Sequence, residues 1–280
     1  MLIKWFGENN ENDFIVFLIS LNNTAIYYII IEKTLNGGCM KKSSKILLII
    51  PAYNEEDNIL KTYNKIKEYN RVNKTKYDVI VINDGSTDST ESILNDNNIP
   101  HIRLIHNLGI GGAVQTGYKY AYDNNYDIAV QFDGDGQHDI NYVKDIIKPI
   151  IEEKCDFAIG SRYVDKTKSQ FQSTRARQIG IRVISKVIKI VTGKRVLDTT
   201  SGFRACNKAV IEKFSNYYPL EYPEPITTTE LLKSKYTLLE VPVSMNEREG
   251  GSSSIHSWKN VYYMINVCLS ILMVKIRRYK

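Results

Sequence analysis

Cysteine is scarce: the 280-residue chain has four, Cys39, Cys155, Cys206 and Cys268. No C-x-x-C pair occurs, and the gaps are too wide for a zinc knuckle. The pattern predicts four reduced thiols in a cytosolic protein. A strong excess of one charge is also missing. Against 31 Asp and Glu stand 37 Lys and Arg, a net charge of +6. That suits an anionic substrate or an anionic membrane surface. It is too small to argue for nucleic acid, and no DNA- or RNA-binding signature accompanies it. Long apolar runs are absent as well. The segment from Phe14 to Glu32 is interrupted by Asn22, Asn23 and Thr24. Neither half reaches the roughly 20 apolar residues of a spanning helix. No basic stretch and small-residue cleavage site mark it as a signal peptide. Internal repeats and low-complexity linkers are not found. What remains is an ordinary globular composition, 43% hydrophobic and 24% charged. The length allows one substantial α/β domain with extensions.

The first 39 residues read as an apolar leader that ends in "NGGCM". Back-translated, Asn-Gly-Gly-Cys-Met can contain GGAGG shortly before ATG, which resembles a bacterial ribosome-binding site. The reading is that synthesis starts at Met40 and that the leader is an over-extended gene start. The competing reading is a genuine membrane-associated leader.

From Lys45 the pattern alternates. "KILLII" is a short apolar run ended by Pro51, a buried parallel strand by length and β-branching. "EEDNILKTYNKIKEY" carries apolar residues at helical spacing. "YDVIVIN", "IRLIH", "DIAVQF" and "CDFAIGS" read as further strands. "GGAVQTGYKYAYDN" and "INYVKDIIKPIIEE" read as helices, and Asp88 as the cap of another. Later come an amphipathic helix, "RQIGIRVISKVIKIVTG", a loop and helix over "DTTSGFRACNKAVIEKF", and a strand in "YTLLEVPVSM". The alternation implies a mostly parallel sheet flanked by helices. In such sheets the ligand sits outside the carboxyl ends of the strands. Four of those ends carry polar clusters: "PAYNEE", "NDGSTD", "FDGDGQHD" and "GSR".

Three nucleotide or metal motifs fail on inspection. "GIGGAVQTG" has Val114 where a dinucleotide fingerprint needs its third glycine, and "GAVQTGYK" has Tyr118 where a P-loop needs lysine. An EF-hand would need glycine at His138 and glutamate at Lys144. An Asp-x-Asp pair, Asp133 and Asp135, remains at a strand end, followed by Gln137. Such a pair can reach one hard divalent cation, or one aspartate can hold the metal and the other a ribose. The flanking glycines would let a ligand approach the backbone. A plain Asp-Gly turn is the alternative.

In order, "IIPAYNEEDNI", "VINDGSTDST", "NLGIGGAVQTGYKYA", "DGDGQHD", "IGSRY" and "TSGFRA" resemble the family 2 glycosyltransferases. They look most like the dolichol- and polyprenyl-phosphate sugar transferase branch. The likeness runs from about Lys45 to Ser254. It implies a GT-A (Rossmann-like, nucleotide-binding) fold over residues 40–257, followed by an amphipathic helix over 258–280. It also implies transfer with inversion from a nucleotide-diphosphate sugar, with Mg2+ or Mn2+. Position by position, Pro51, Tyr53 and Glu55 would line the nucleotide pocket, and Asp84 would face the base. Asp133 and Gly134 would sit by the ribose and diphosphate. Asp135 and Gln137 would hold the metal. Arg162 would approach the phosphates or the acceptor, and Arg248 would lie near the diphosphate. Two departures stand out: Asn83 replaces the first of two acids before Gly-Ser, and "GGSSS" offers serines where relatives acting on lipid phosphate carry a lysine.

A lipid-phosphate acceptor is already anionic and needs little general base. A sugar hydroxyl, in capsule or cell-wall polysaccharide synthesis, needs a carboxylate to take its proton. Glu224, Glu221 and Asp198 are the candidates. A sugar-nucleotide-making nucleotidyltransferase would need a glycine- and arginine-rich loop where "PAYNEE" stands. A non-catalytic sugar-nucleotide binder would have no need of the Asp-x-Asp pair. Arg175, Arg177 and Arg182 could hold a lipid diphosphate or a membrane surface. From Asn260 to Val274 no charge occurs, and "KIRRYK" follows. That is short for a span and suits a helix lying at the interface, or else a helix packed on the domain. Peripheral attachment to the inner face of the plasma membrane is the expectation.

Overall fold

The computed structural model describes residues 2–5, 14–20, 26–32, 44–165, 175–245 and 257–276. The chain divides into two units, residues 1–43 and 44–280. In the first, strands β1 (Leu2–Trp5), β2 (Phe14–Ser20) and β3 (Ile26–Glu32) form an antiparallel sheet in that order. Ser20 pairs with Ile26 and Phe14 with Glu32. The polar break at Asn22–Thr24 lies outside the described residues. The expected start at Met40 lies outside the described residues.

The second unit is built on β4 (Ile46–Ala52), β5 (Tyr77–Asn83), β6 (His101–Arg103), β7 (Ile128–Gln131), β8 (Phe157–Ser161), β9 (Arg204–Asn207) and β10 (Leu238–Pro242). They form one sheet in the order β10-β8-β9-β7-β4-β5-β6. All neighbours are parallel except β9, which runs antiparallel to both β7 and β8. Ile46 to Ile50 of β4 are all buried, as a strand covered on both faces must be.

Helices supply the two covers. On one face lie α1 (Ile59–Asn73) and α4 (Val143–Ile151), whose Val143, Ile146, Ile147 and Ile150 recur at helical spacing into the core. On the other face lie α3 (Gly109–Asp123), α5 (Arg175–Thr192), α6 (Lys208–Asn216) and α8 (Ser257–Ile276). The short α2 (Thr90–Asp96) follows β5, and α7 (Pro223–Lys233) follows α6. The run "GIGG" has a packing reason. A Cβ on Gly111 would lie 2.3 Å from the Pro219 carbonyl oxygen and 2.5 Å from Leu220 Cα. Glycine therefore lets α3 press against the backbone that leads into α7.

Three local expectations change. β9 falls inside the stretch expected to be loop. The predicted strand "IRLIH" ends at Arg103, and Ile105 is 89% exposed. Asp88 precedes the helix it was expected to cap: α2 starts after Ser89, and Asp88 Oδ1 accepts the Thr90 N–H. The C-terminal helix packs on the domain, the second of the two alternatives weighed for it. Val267, Ile271 and Val274 of α8 are buried, and the helix packs on α5 and α7. Ile265, Leu269, Leu272, Met273 and Ile276 stay exposed. No helix among the described residues is long and apolar enough to cross a membrane. Cys155, Cys206 and Cys268 are free thiols.

Candidate active site

The carboxyl ends of β4, β5, β7 and β8 open into one cleft of about 780 Å³. The candidate nucleotide- and metal-binding residues in the described regions line it, together with Glu224, while Asp198, Glu221 and Arg182 do not. Pro51, Tyr53 and Glu55 arrive from β4 and Asp84 from β5. Asp133, Gly134, Asp135 and Gln137 arrive from β7, Arg162 from β8 and Glu224 from the first turn of α7. Arg248 lies outside the described residues, as do the side chains of Arg175 and Arg177.

Much of the polarity after β4 and β5 is spent on holding two loops together. Asn54 sits in left-handed backbone (φ 55°). Its Oδ1 accepts the Thr87 N–H at 2.9 Å, and its own N–H donates to Ser86 Oγ at 3.0 Å. Glu55 N–H donates to Thr90 Oγ1, Glu56 N–H to Asp88 Oδ2, and Ser89 N–H to Glu56 Oε2. The Asn83 amide bonds Glu91 and accepts the Ser86 N–H. Asn83, standing where relatives have an acid, therefore closes the loop and does not line the cleft. Asp84 is 3% exposed, and its Oδ1 accepts the Leu108 N–H at 2.7 Å, at the start of α3. Burial pushes its carboxyl up, and the N–H groups of Leu108 and Gly109 pull it back.

The β7 turn is built around a residue whose role the sequence did not disclose. His138 is buried, stacked on Phe203 at 4.6 Å with its edge to Phe132. Its Nδ1 accepts the main-chain N–H of Asp133 at 2.8 Å. The ring proton is thereby left on Nε2, which lies 3.3 Å from Asp133 Oδ2. Burial holds the imidazole neutral, with its pKa lowered to about 4; the Asp135 charge opposes this and the Arg162 charge adds to it. The neutral histidine thus orients Asp133 by hydrogen bonding and not as an ion-pair partner. Asp135 is buried, its Oδ1 accepting the Gln137 N–H at 3.0 Å, which draws the two side chains into one turn. Gly136 has φ 80°, a conformation the turn requires.

These groups suit a hard divalent cation. Asp135 and Gln137 offer oxygen donors at the cleft, and among the described residues no group of three or more His, Cys, Asp or Glu is arranged to hold a metal ion by itself. Magnesium and manganese use few protein ligands and take water and phosphate oxygens for the rest.

Arg162 and Asp198 form a buried pair. Arg162 Nε and Nη2 donate to the two oxygens of Asp198, both at 2.8 Å, and Arg162 N–H adds a third bond at 3.1 Å. Asp198 is fully buried, both its oxygens are bonded by Arg162, and it does not line the cleft. Glu221 is exposed and outside the cleft. Of the three candidate bases only Glu224 reaches it. Burial pushes the Glu224 carboxyl up, opposed by the Arg204 guanidinium.

The sequence profile of the family described as Glycosyl transferase family 2 matches residues 47–215. The chain belongs to this family. Among relatives of this family 2 glycosyltransferase is the UDP-N-acetylglucosamine–dolichyl-phosphate N-acetylglucosaminyltransferase of Methanococcus voltae. It is 32% identical over 250 residues, covering 82% of this chain and 96% of that one. The undecaprenyl-phosphate mannosyltransferase of Micrococcus luteus is 27% identical, covering 75% and 87%. Glucosyl-3-phosphoglycerate synthase from Mycobacterium tuberculosis, solved with Mn2+, UDP and glucosyl-3-phosphoglycerate, shares the fold. Its TM-score is 0.62 at 18% identity, covering 86% of this chain and 83% of that one. The GT-A architecture expected from the sequence is the one observed.

Proposed function

We propose that this glycosyltransferase moves a sugar, with inversion, from a nucleotide-diphosphate sugar to a polyprenyl phosphate or another lipid-linked cell-envelope acceptor. The observation that carries the reading is the convergence of the four strand-end clusters on one cleft, with Glu224 at its edge. Tyr53, 46% exposed in the cleft, and Asp84 serve the nucleoside; Asp133 serves the ribose and diphosphate. Asp135 and Gln137 hold Mg2+ or Mn2+. When bound, the cation stabilises the negative charge that grows on the departing diphosphate. Arg162, its charge offset by Asp198, presents its guanidinium at the same mouth, and Arg248 is proposed to add positive charge there.

The acceptor class rests on the named substrates of the relatives and on the helices beside the sheet. α8 exposes an apolar row that ends at Lys275. The outer side of α5 mixes exposed Ile179, Val183 and Ile190 with Arg182, Lys186 and Lys189. Apolar side chains beside cations suit a helix lying on an anionic lipid surface, where each cation adds about 1 kcal/mol. The site we propose is the cytoplasmic face of the plasma membrane. A second reading, transfer to a sugar hydroxyl, is favoured by Glu224, whose raised pKa suits proton transfer. A hydrolysis screen over UDP- and GDP-sugars with Mn2+, repeated with polyprenyl phosphate, tests the proposal. Label passing into the lipid phase supports it. Hydrolysis without lipid product, together with transfer to a glycan hydroxyl, supports the second reading.

A further inference from the structure

Arg204 opens β9 and is completely buried. In the antiparallel ladder it faces Gln131, the β7 residue that lines the cleft beside Asp133. Its guanidinium lies over the Phe157 ring at 5.6 Å. Nε donates to the Ser201 carbonyl at 2.6 Å. Nη1 donates to the Glu224 carbonyl and to Thr227 Oγ1, both at 3.0 Å. Ser201 and Glu224 both line the cleft, and they come from segments 23 residues apart in sequence. None of the ion pairs among the described residues involves Arg204. A buried cation without a bonded carboxylate is costly, and its retention calls for a reason.

We propose that Arg204 is a positioning residue: its planar fork ties the Ser201 turn to the first turn of α7 and so sets the Glu224 carboxylate against a sugar hydroxyl. The geometry requires a fork. One arm reaches the Ser201 loop, the other reaches α7, and a lysine ammonium has no rigid spread to span both. The left-handed Tyr222 (φ 50°) and Pro223 start α7 abruptly. Arg204 then bonds the first turn of the helix through a main-chain carbonyl and a threonine. This inference rests on the second reading, transfer to a sugar hydroxyl, with Glu224 touching the acceptor.

A double-mutant cycle separates positioning from general support. Arg204→Lys is expected to lower kcat for sugar transfer about 10- to 100-fold with the donor KM within about 3-fold, as displacement of a reacting group does. In a Glu224→Gln background the same change is expected to cost less than about 3-fold, because the group it positions is already gone. Equal losses in both backgrounds, or no loss in either, overturn the inference. If Arg204→Lys does not fold, Thr227→Val carries the same comparison, since it removes one of the two Nη1 acceptors. A wild-type chain that transfers to polyprenyl phosphate and to no glycan hydroxyl would instead defeat the sugar-hydroxyl reading, and one inert towards every donor would defeat the transferase reading.

Discussion

Asp198→Ala should be among the most destabilising single changes in the domain, and the structure says why. The carboxylate is fully buried and takes three bonds from Arg162, from Nε, Nη2 and the main-chain N–H. Arg162 is itself only 5% exposed, and its Nη2 also bonds Thr200 Oγ1. The backbone around Asp198 is pinned in turn, because Glu240 accepts the N–H groups of Leu197 and Asp198, both at 2.8 Å. Truncation to alanine therefore cannot be relieved by a small shift of the loop. It leaves a buried guanidinium without its counter-charge, a loss of about 3–5 kcal/mol. Domains of this kind have about 5–15 kcal/mol in all. Asp198→Asn keeps the shape and one acceptor and should lose about 1.5–3 kcal/mol, the worth of charged hydrogen bonds. The double change Arg162→Met with Asp198→Leu removes both charges and should be more stable than Asp198→Ala alone. Urea unfolding followed by circular dichroism reads all three. An Asp198→Ala protein within about 1 kcal/mol of wild type would refute the reasoning, because a desolvated cation stripped of its partner must cost more than that.

Asp135→Ala should abolish Mn2+-dependent transfer and donor hydrolysis while the unfolding midpoint stays near wild type; unchanged turnover under saturating Mn2+ would remove the metal role. The buried His138 binds its proton only near pH 4, whereas the unfolded chain binds it near 6.5, so stability should fall as pH drops through that window. The loss is on the order of 3 kcal/mol. It is read as the difference between wild type and His138→Phe in urea midpoints at each pH, and parallel curves would contradict it. Gly111→Ala drives a Cβ into the Pro219–Leu220 backbone and should destabilise by about 1–3 kcal/mol in the same assay. A chain beginning at Met40 should keep the turnover of the 280-residue chain; lost activity would show that the leader contributes.

The sheet was largely legible. β4, β5, β7 and β8 are short β-branched runs ended by polar residues, and burial on both faces demands such runs. The polar strand ends then mark the crevice, and each of the four sends at least one residue into its lining. β9 was not legible, because "RACN" has neither alternation nor an apolar run, and it pairs antiparallel between two strands distant in sequence. The roles of the acids were also hidden. Asp198 meets Arg162 across 36 residues, so nothing local shows that its charge is consumed. Glu221 and Glu224 look alike in sequence, and the start of α7 at Pro223 decides between them. His138 was visible only as a failed calcium-loop position. Its fit between Phe132 and Phe203 depends on residues brought in by another strand. The clustered polar residues after β4 and β5 suggested ligand contacts, yet Asn54, Glu56 and Asp88 mainly bond the two loops to each other.

Transfer of labelled sugar from UDP- or GDP-sugars into polyprenyl phosphate, with and without Mn2+, tests the central claim most directly. The account predicts a lipid-soluble product that requires the metal and disappears with Asp135→Ala. A folded wild-type protein that neither transfers nor hydrolyses any of these donors would contradict it.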